Sequence, residues 1–203
     1  EASREAVRIA RLHENDYSLV LALVFASVDA GFARRDFDEV LRASQEVIEL
    51  AAGRPFGVWG VQGEVFNAWA RLANPESREV MTRQEQASLC QQCEAALAMY
   101  RGSGAGLKVP FMQAALAESQ INAGLPDRAW KVINEGIFLA ESGTDQMWLA
   151  ELYRLKGRCL QARGAAAEEQ FEAFTQAASI ARSQGSVALE HRAAADLAAT
   201  GAS

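Results

Sequence analysis

Three observations predict an all-α protein made of stacked helix pairs. Turn-like positions recur along the chain at Arg35, Asn74, Gly124 and Gly164, with gaps of 39, 50 and 40 residues. No segment of useful length alternates apolar and polar residues as a half-buried strand does. Each helical segment has one apolar face and none is apolar all round, so a single pair cannot hide its own stripe. Stacking pairs in register buries a continuous core, which gives an α-α superhelix, or solenoid. Such stacks usually bind other proteins and seldom do chemistry.

The expected helices, in order, are 2–13, 16–34, 36–53, 56–73, 79–102, 107–123, 126–142, 145–163, 166–184 and 186–199. The first reads as the surviving second helix of a preceding repeat, a remnant over 1–15 that implies residues upstream of Glu1. The next eight form pairs at 16–53, 56–102, 107–142 and 145–184. Gly53, Gly102, Gly143 and Gly185 follow second helices, where glycine can take the left-handed conformation that ends a helix. Pro126 suits a first helical turn, and it pushes Leu125 out of the α region. Asp145 and Ser186 are expected N-caps. Within 126–142, Ala129, Val132, Ile133, Gly136, Ile137 and Ala140 share one side, and Lys131, Asn134, Glu135 and Glu141 share the other. Ala117, Ala129, Gly136 and Gly157 are small residues placed for close helix approach. Helix 186–199 is expected to cap the last pair by burying Val187, Leu189, Ala193 or Ala194, and Leu197. Without it, Phe171, Phe174, Ala178 and Ala181 would meet water.

The second pair is longer than its neighbours. Its surplus lies between Asn74 and Ser88 and is polar, with Glu76, Arg78, Glu79, Arg83, Gln84 and Glu85. That composition predicts a solvated extension of the turn and the following helix.

Composition supports one helical domain over 1–203. About half of the residues are apolar, and there are only four prolines. A chain of this length can bury a sizeable core without disulfides or metals. The net charge is −6 with both signs interspersed, and no basic stripe is present. Nucleic acid is therefore not an expected partner. The apolar stretch Leu19–Val28 is well short of the roughly 20 residues that span a bilayer, so no membrane contact is expected. Three cysteines suit a reducing, cytoplasmic location better than a disulfide framework.

Candidates for chemistry are weak. Cys90-Gln-Gln-Cys93 is a lone CxxC; zinc needs four ligands as a rule, and a redox motif needs a strand leading into it. Packing of both thiols against a neighbouring helix is the expectation, and Cys159 is read the same way. His13 and His191 have no nucleophile near them in sequence. The Gly102–Gly106 run lacks the Lys-Ser/Thr of a P-loop. No catalytic residue, metal or cofactor is expected. Of the tryptophans, Trp69, Trp130 and Trp148 suit inter-helix packing. Trp59, beside Phe56, is read as core, with a ligand-facing aromatic patch as the alternative.

Leu116, Ala117, Gly124 and Ala129 are spaced like the first helix, turn and second helix of a tetratricopeptide repeat. Gly157 and Gly164 reproduce the gap between Ala117 and Gly124. Further stretches carry a more specific likeness: Gly104–Pro110, Leu116–Gly124, Ala150-Glu-Leu-Tyr-Arg-Leu-Lys-Gly157, and Phe174 through Gly185 to Leu197. Together they resemble the C-terminal tetratricopeptide-like region of large bacterial signalling proteins. Those proteins carry a predicted signal-transduction ATPase, often with an adenylate/guanylate cyclase domain or a DNA-binding transcriptional-regulator domain. The likeness covers most of 16–199. It implies a non-catalytic protein-interaction and regulatory domain, whose partner is another protein or another domain of the same polypeptide. The alternative is a peptide or small-ligand sensor that uses the concave groove. An enzyme is the third reading. The polar insertion after Asn74 departs from the family pattern, and no nucleotide-binding loop or cyclase carboxylates are present.

In tetratricopeptide stacks the first helix of each pair lines the concave surface. The resemblance places Glu64 and Arg71 there in the second pair and Phe111, Glu118 and Asn122 in the third. In the fourth it places Glu151, Arg154, Arg158 and Gln161. The clamp of Lys and Asn that some family members use for a C-terminal carboxylate is not reproduced. Arg154 and Arg158 are like charges one turn apart, which costs a few tenths of a kcal/mol and favours an anionic partner or a neighbouring acid such as Glu151. They are expected to be exposed.

Overall fold

Helices begin where the sequence supplies capping groups. In the computed structural model, which describes residues 2–143 and 145–200, Asn15 accepts from the Ser18 backbone N–H at 2.9 Å and Asp36 from that of Glu39 at 3.1 Å. Thr82 and Glu85 form a reciprocal capping box. Pro75, Pro110 and Pro126 sit in first turns, where the missing N–H has no intrahelical partner to lose. Between these starts lie α1 (Ala2–Leu12), α2 (Asp16–Arg34), α3 (Phe37–Ala51), α4 (Gly57–Ala73), α5 (Pro75–Glu79) and α6 (Arg83–Gly102). They continue with α7 (Val109–Asn122), α8 (Pro126–Ser142), α9 (Leu149–Ala162), α10 (Ala167–Ser183) and α11 (Val187–Ala199). Among the described residues there is no strand. The all-α class is as expected.

Where the sequence reading draws one domain over 1–203, the contacts divide the chain into two compact units, Glu1–Ala105 and Gly106–Ser203. The division falls in the Gly-rich turn after α6, between the second and third expected pairs.

In the first unit α1 packs on α2, α2 on α3, α3 on α4, and α4 on α6. Its core is built on Val24, Phe32, Val47, Phe66 and Trp69, all fully buried. Phe32 meets Trp69 with ring centroids 4.5 Å apart and Phe66 edge-on at 5.6 Å. Helix α2 is long and apolar enough to cross a membrane by length and composition. Leu19, Val20, Leu23, Val24, Val28 and Phe32 nevertheless form one buried stripe on it. Its middle, Leu23–Asp29, is wound as a π-helix. The surplus after Asn74 forms the one short helix α5 and the exposed turn that follows. Val80 lies in that turn and is 84% exposed, which agrees with a solvated extension.

In the second unit α7 packs on α8, α8 on α9, α9 on α10 and α10 on α11, while α9 also touches both α7 and α11. Ala129, Ile133, Ala140, Leu152, Leu155 and Cys159 form the shared core. The turns after Gly124 and Gly164 have the same geometry: both glycines have positive φ (74° and 71°), and the next residue's N–H donates to a carbonyl five residues back. Arg35 closes α2 in the same way at φ 62°, with Asp36 N–H donating to Gly31. Asn74 does not join this series. Its backbone is extended, and its side chain caps α5, because the inserted residues supply a new helix start at that point.

Three local expectations need correction. Asp145 is not an N-cap: α9 starts at Leu149, and the Asp145 carboxylate instead accepts from the Lys108 backbone N–H at 2.9 Å. Ser186 occupies the N-cap position of α11 without a side-chain capping bond. On α11, Leu189 and Ala193 are buried as expected and Leu197 is only partly buried, whereas Val187 is exposed. The helix seats on α10 by a narrower stripe than the pattern implies.

Close approach is real at Gly157. A Cβ built there would lie 2.5 Å from the Phe174 ring, itself fully buried. Gly157→Ala should therefore destabilise the protein by about 1–3 kcal/mol, the usual cost of overpacking a core. Chemical denaturation checks this. A midpoint equal to that of the parent would mean that α9 and α10 slide apart freely.

Candidate functional site

Helix α9 carries Glu151, Arg154 and Arg158 at i, i+3 and i+7, a spacing that puts all three on one face. Helix α7 presents Glu118 and Asn122 to that face, and α11 presents Arg192 and Asp196, each pair one turn apart. Because α7 and α11 both pack on α9, the seven side chains converge. Arg154 donates twice to Glu151, at 2.8 and 2.9 Å, once to Asp196 at 2.5 Å, and lies 3.6 Å from Glu118. Arg158 donates to Glu118 at 2.9 Å and to Asn122 at 3.1 Å. Arg192 donates to Glu151 at 3.2 Å.

The cluster balances three carboxylates against three guanidiniums, so it is close to neutral. Glu118 and Glu151 are fully buried and Arg154 is 4% exposed. Isolated charges at such depth are very costly, and mutual pairing with additional hydrogen bonds is what makes them tolerable. Burial by itself would raise the Glu151 carboxyl. Arg154, by charge and hydrogen bond, and then Arg192 outweigh it and hold the group below the usual carboxylate range. Arg154 is held above its ordinary value by Glu151, Glu118 and Asp196 against the opposing effect of burial.

A folded-state value below the unfolded one means stability that is complete above the unfolded pKa near 4.5 and is lost as pH falls through the folded value. Urea titrations between pH 3 and pH 6 should show stability falling more steeply with acid for the parent than for Glu151→Gln. Equal slopes would remove Glu151 as a contributor to acid lability.

The sequence reading expects these residues on an open groove, exposed and available. Glu118, Asn122, Glu151, Arg154 and Arg158 are indeed brought together, but as an internally satisfied cluster. The expected exposure of Arg154 is wrong, because Glu118 one repeat away and Asp196 on α11 complete its coordination. Phe111 is also core: it is 1% exposed and stacks on Trp148 with centroids 4.4 Å apart and planes 9° apart. Glu64, Arg71 and Gln161 are exposed. Arg192 and Asp196 were not among the expected site residues. They lie 41 and 42 residues after their partners, so the repeat period itself points to them.

Among the described residues, two of the open surfaces carry aromatic side chains. In the first unit, Tyr17 and Phe25 on α2 are 46% and 49% exposed. They meet Phe56 and Trp59 at 5.5 and 5.9 Å respectively. Trp59 thus belongs to a half-exposed aromatic patch and not to the closed core. In the second unit, a cleft of about 620 Å³ is lined by Trp130, Tyr153, Lys156, Leu160, Phe171 and the α10 residues Glu169 and Glu172. The Tyr153 hydroxyl donates to Glu141 at 2.8 Å. Burial and that carboxylate push it up to about 12, which keeps it a neutral donor.

The groups that could carry chemistry are placed otherwise. Cys90 and Cys93 are fully buried on α6, with the Cys93 thiol facing the Val65 carbonyl at 3.8 Å, as packing predicts. Burial holds the Cys93 thiol far above its ordinary value, so it stays protonated and unreactive. Cys159 is buried as well, and burial pushes it up to about 11. His13 and His191 are both exposed, one in each unit.

No protein-family model matches the chain. It is 29% identical over 187 residues to an uncharacterized protein of Rhizobium meliloti (strain 1021). That alignment covers 92% of this chain and 17% of the relative, so the chain spans about 17% of the length of the curated relative that it resembles.

Proposed function

We propose that this chain is a non-catalytic protein-interaction and regulatory domain, built in each unit from tetratricopeptide-like helix pairs stacked as a solenoid. The reading rests on side-chain contacts about one repeat apart. In the second unit these are Phe111 with Trp148 and Glu118 with Arg158, the latter 40 residues apart. In the first they are Asp16 with Arg54, 38 residues apart, and Tyr17 with Phe56. Helices whose side chains meet at the repeat offset are the expected product of stacking equivalent pairs. The matching turns at Arg35, Gly124 and Gly164 support the same assignment.

On this reading the domain works in the cytoplasm as part of a larger bacterial signalling protein and docks another protein or another domain of its own polypeptide. The greater length of the Rhizobium relative supports a modular role. Because the arginine cluster is closed, the aromatic patch of Tyr17, Phe25, Phe56 and Trp59 is the better docking surface. Large half-exposed rings contribute most when a partner desolvates them. The test is a calorimetric titration of this chain against the remainder of its natural polypeptide. Saturable binding is expected, and Phe25→Ser should weaken it at least about tenfold, as loss of an interface anchor does, with an unchanged thermal melt. Absence of binding, together with unchanged activity of the attached domains when this chain is deleted, would refute the assignment.

A further inference from the structure

We propose that the cleft between α8, α9 and α10 holds an extended peptide segment in which an apolar residue lies between an acidic and a basic one. The inference rests on the docking-module reading and adds a second surface with its own chemistry. At about 620 Å³, the cleft falls within the range of about 300–1,000 Å³ typical of ligand sites. Trp130, Tyr153, Leu160 and Phe171 give it apolar walls. Phe171 stays 42% exposed, while Phe174, one turn along α10, is fully buried.

The charges select the occupant. The Lys156 ammonium lies 5.9 Å from the Trp130 ring and 5.6 Å from the Tyr153 ring. It forms no ion pair with any described carboxylate. Arg163, in contrast, lies 4.9 Å from the Trp130 ring but is tied to Asp127 at 3.1 Å. From α10, Glu169 and Glu172 enter the same cleft, again without a hydrogen-bonding or ionic partner among the described residues. Both signs of charge therefore border an aromatic floor without being neutralised.

A purely anionic ligand would meet Glu169 and Glu172, and a purely cationic one would meet Lys156. An uncharged apolar ligand would take all three out of water unpaired, at a cost. A peptide carrying one charge of each sign around an apolar side chain gives each sign a counter-charge, its acid to Lys156 and its base between Glu169 and Glu172, and fills the aromatic floor. Thr175 and Gln176 complete the lining and supply side-chain donors and acceptors for the peptide backbone.

The probes are two capped tripeptides, acetyl-glutamyl-phenylalanyl-lysine amide and its charge-reversed order, with acetyl-glutaminyl-phenylalanyl-glutamine amide as the neutral comparison. Each is titrated into the whole chain while amide and indole NMR shifts are followed. Saturable shifts are expected at the Trp130 indole and along α9 and α10. The better charged peptide should bind at least about fivefold more tightly than the neutral one, and Lys156→Ala should remove about that factor, the upper range for an exposed ion pair. Phe171→Ala should weaken all three peptides. No saturable shift, equal binding of the neutral peptide, or unchanged binding by Lys156→Ala would each overturn the proposal. If the chain still binds the rest of its polypeptide while these peptides fail, the cleft is removed and the docking module stands. If the peptides bind and the polypeptide does not, the cleft stands and its assignment to the module falls.

Discussion

Arg154→Ala should lower stability by about 3–5 kcal/mol, the usual consequence of removing one partner from a buried ion pair. Glu118 and Glu151 are both fully buried. Without Arg154, Glu151 loses its bidentate partner and retains Arg192 at 3.2 Å, while Glu118 retains Arg158 at 2.9 Å. The damage should come from stranded charge more than from lost packing. A triple variant, Glu118→Leu with Glu151→Leu and Arg154→Met, should therefore recover most of the loss, because apolar replacement of a buried ionic cluster is often neutral. Arg158, Arg192 and Asp196 retain some exposure, so they can hydrate when their partners go. Urea denaturation of the parent, single and triple variants decides the point. A loss below about 1 kcal/mol for Arg154→Ala would place the group in the class of surface salt bridges and contradict its burial.

Helix positions were legible because they depend on local chemistry. Pro126 and the glycine turns at 124 and 164 act within a few residues of themselves, and the structure places helix ends at them. The N-cap expected at Asp145 failed for the opposite reason. A carboxylate can satisfy a distant donor as well as its own helix, and here the Lys108 N–H wins. Asn74 looked like a turn of the same series because spacing alone does not encode φ. The inserted helix α5 gave its side chain a different task.

The site was legible in membership but not in state. Glu118, Asn122, Glu151, Arg154 and Arg158 were all expected on one face, and they do converge. What local reading missed is that a repeat offset also says who pairs with whom. Arg158 meets Glu118 at an offset of 40, Arg192 meets Glu151 at 41, and Asp196 meets Arg154 at 42. Arg154 takes one acid from its sequence neighbour Glu151, and the period of the chain places the other acids, Asp196 for Arg154 and Glu118 for Arg158, one repeat away. Exposure is a property of the assembled stack, and no single helix pattern contains it.

Truncation after Gly185 should abolish cooperative melting of the second unit. The lost segment contains α11, which covers α10 and touches α9. Its apolar contribution is small. Leu189 and Ala193 are its buried apolar residues, and full burial of a leucine is worth only about 1.5–3 kcal/mol. Its ionic contribution is the larger. Removing Arg192 and Asp196 opens to water the face of α9 on which Arg154 and Glu151 depend. Breaking such a buried network costs about 3–5 kcal/mol, and a small domain has only about 5–15 kcal/mol in total. The two losses together approach that reserve. Within the full-length chain, Arg192→Ala with Asp196→Ala should reproduce the larger part of the effect, and Leu189→Ala should cost less, about 2 kcal/mol. Val187→Ala should be nearly silent, since Val187 is 65% exposed. Hydrogen exchange gives the decisive readout: protection in α9 and α10 should collapse on truncation. A truncated protein that keeps that protection would show that α11 rests on a stack already complete without it.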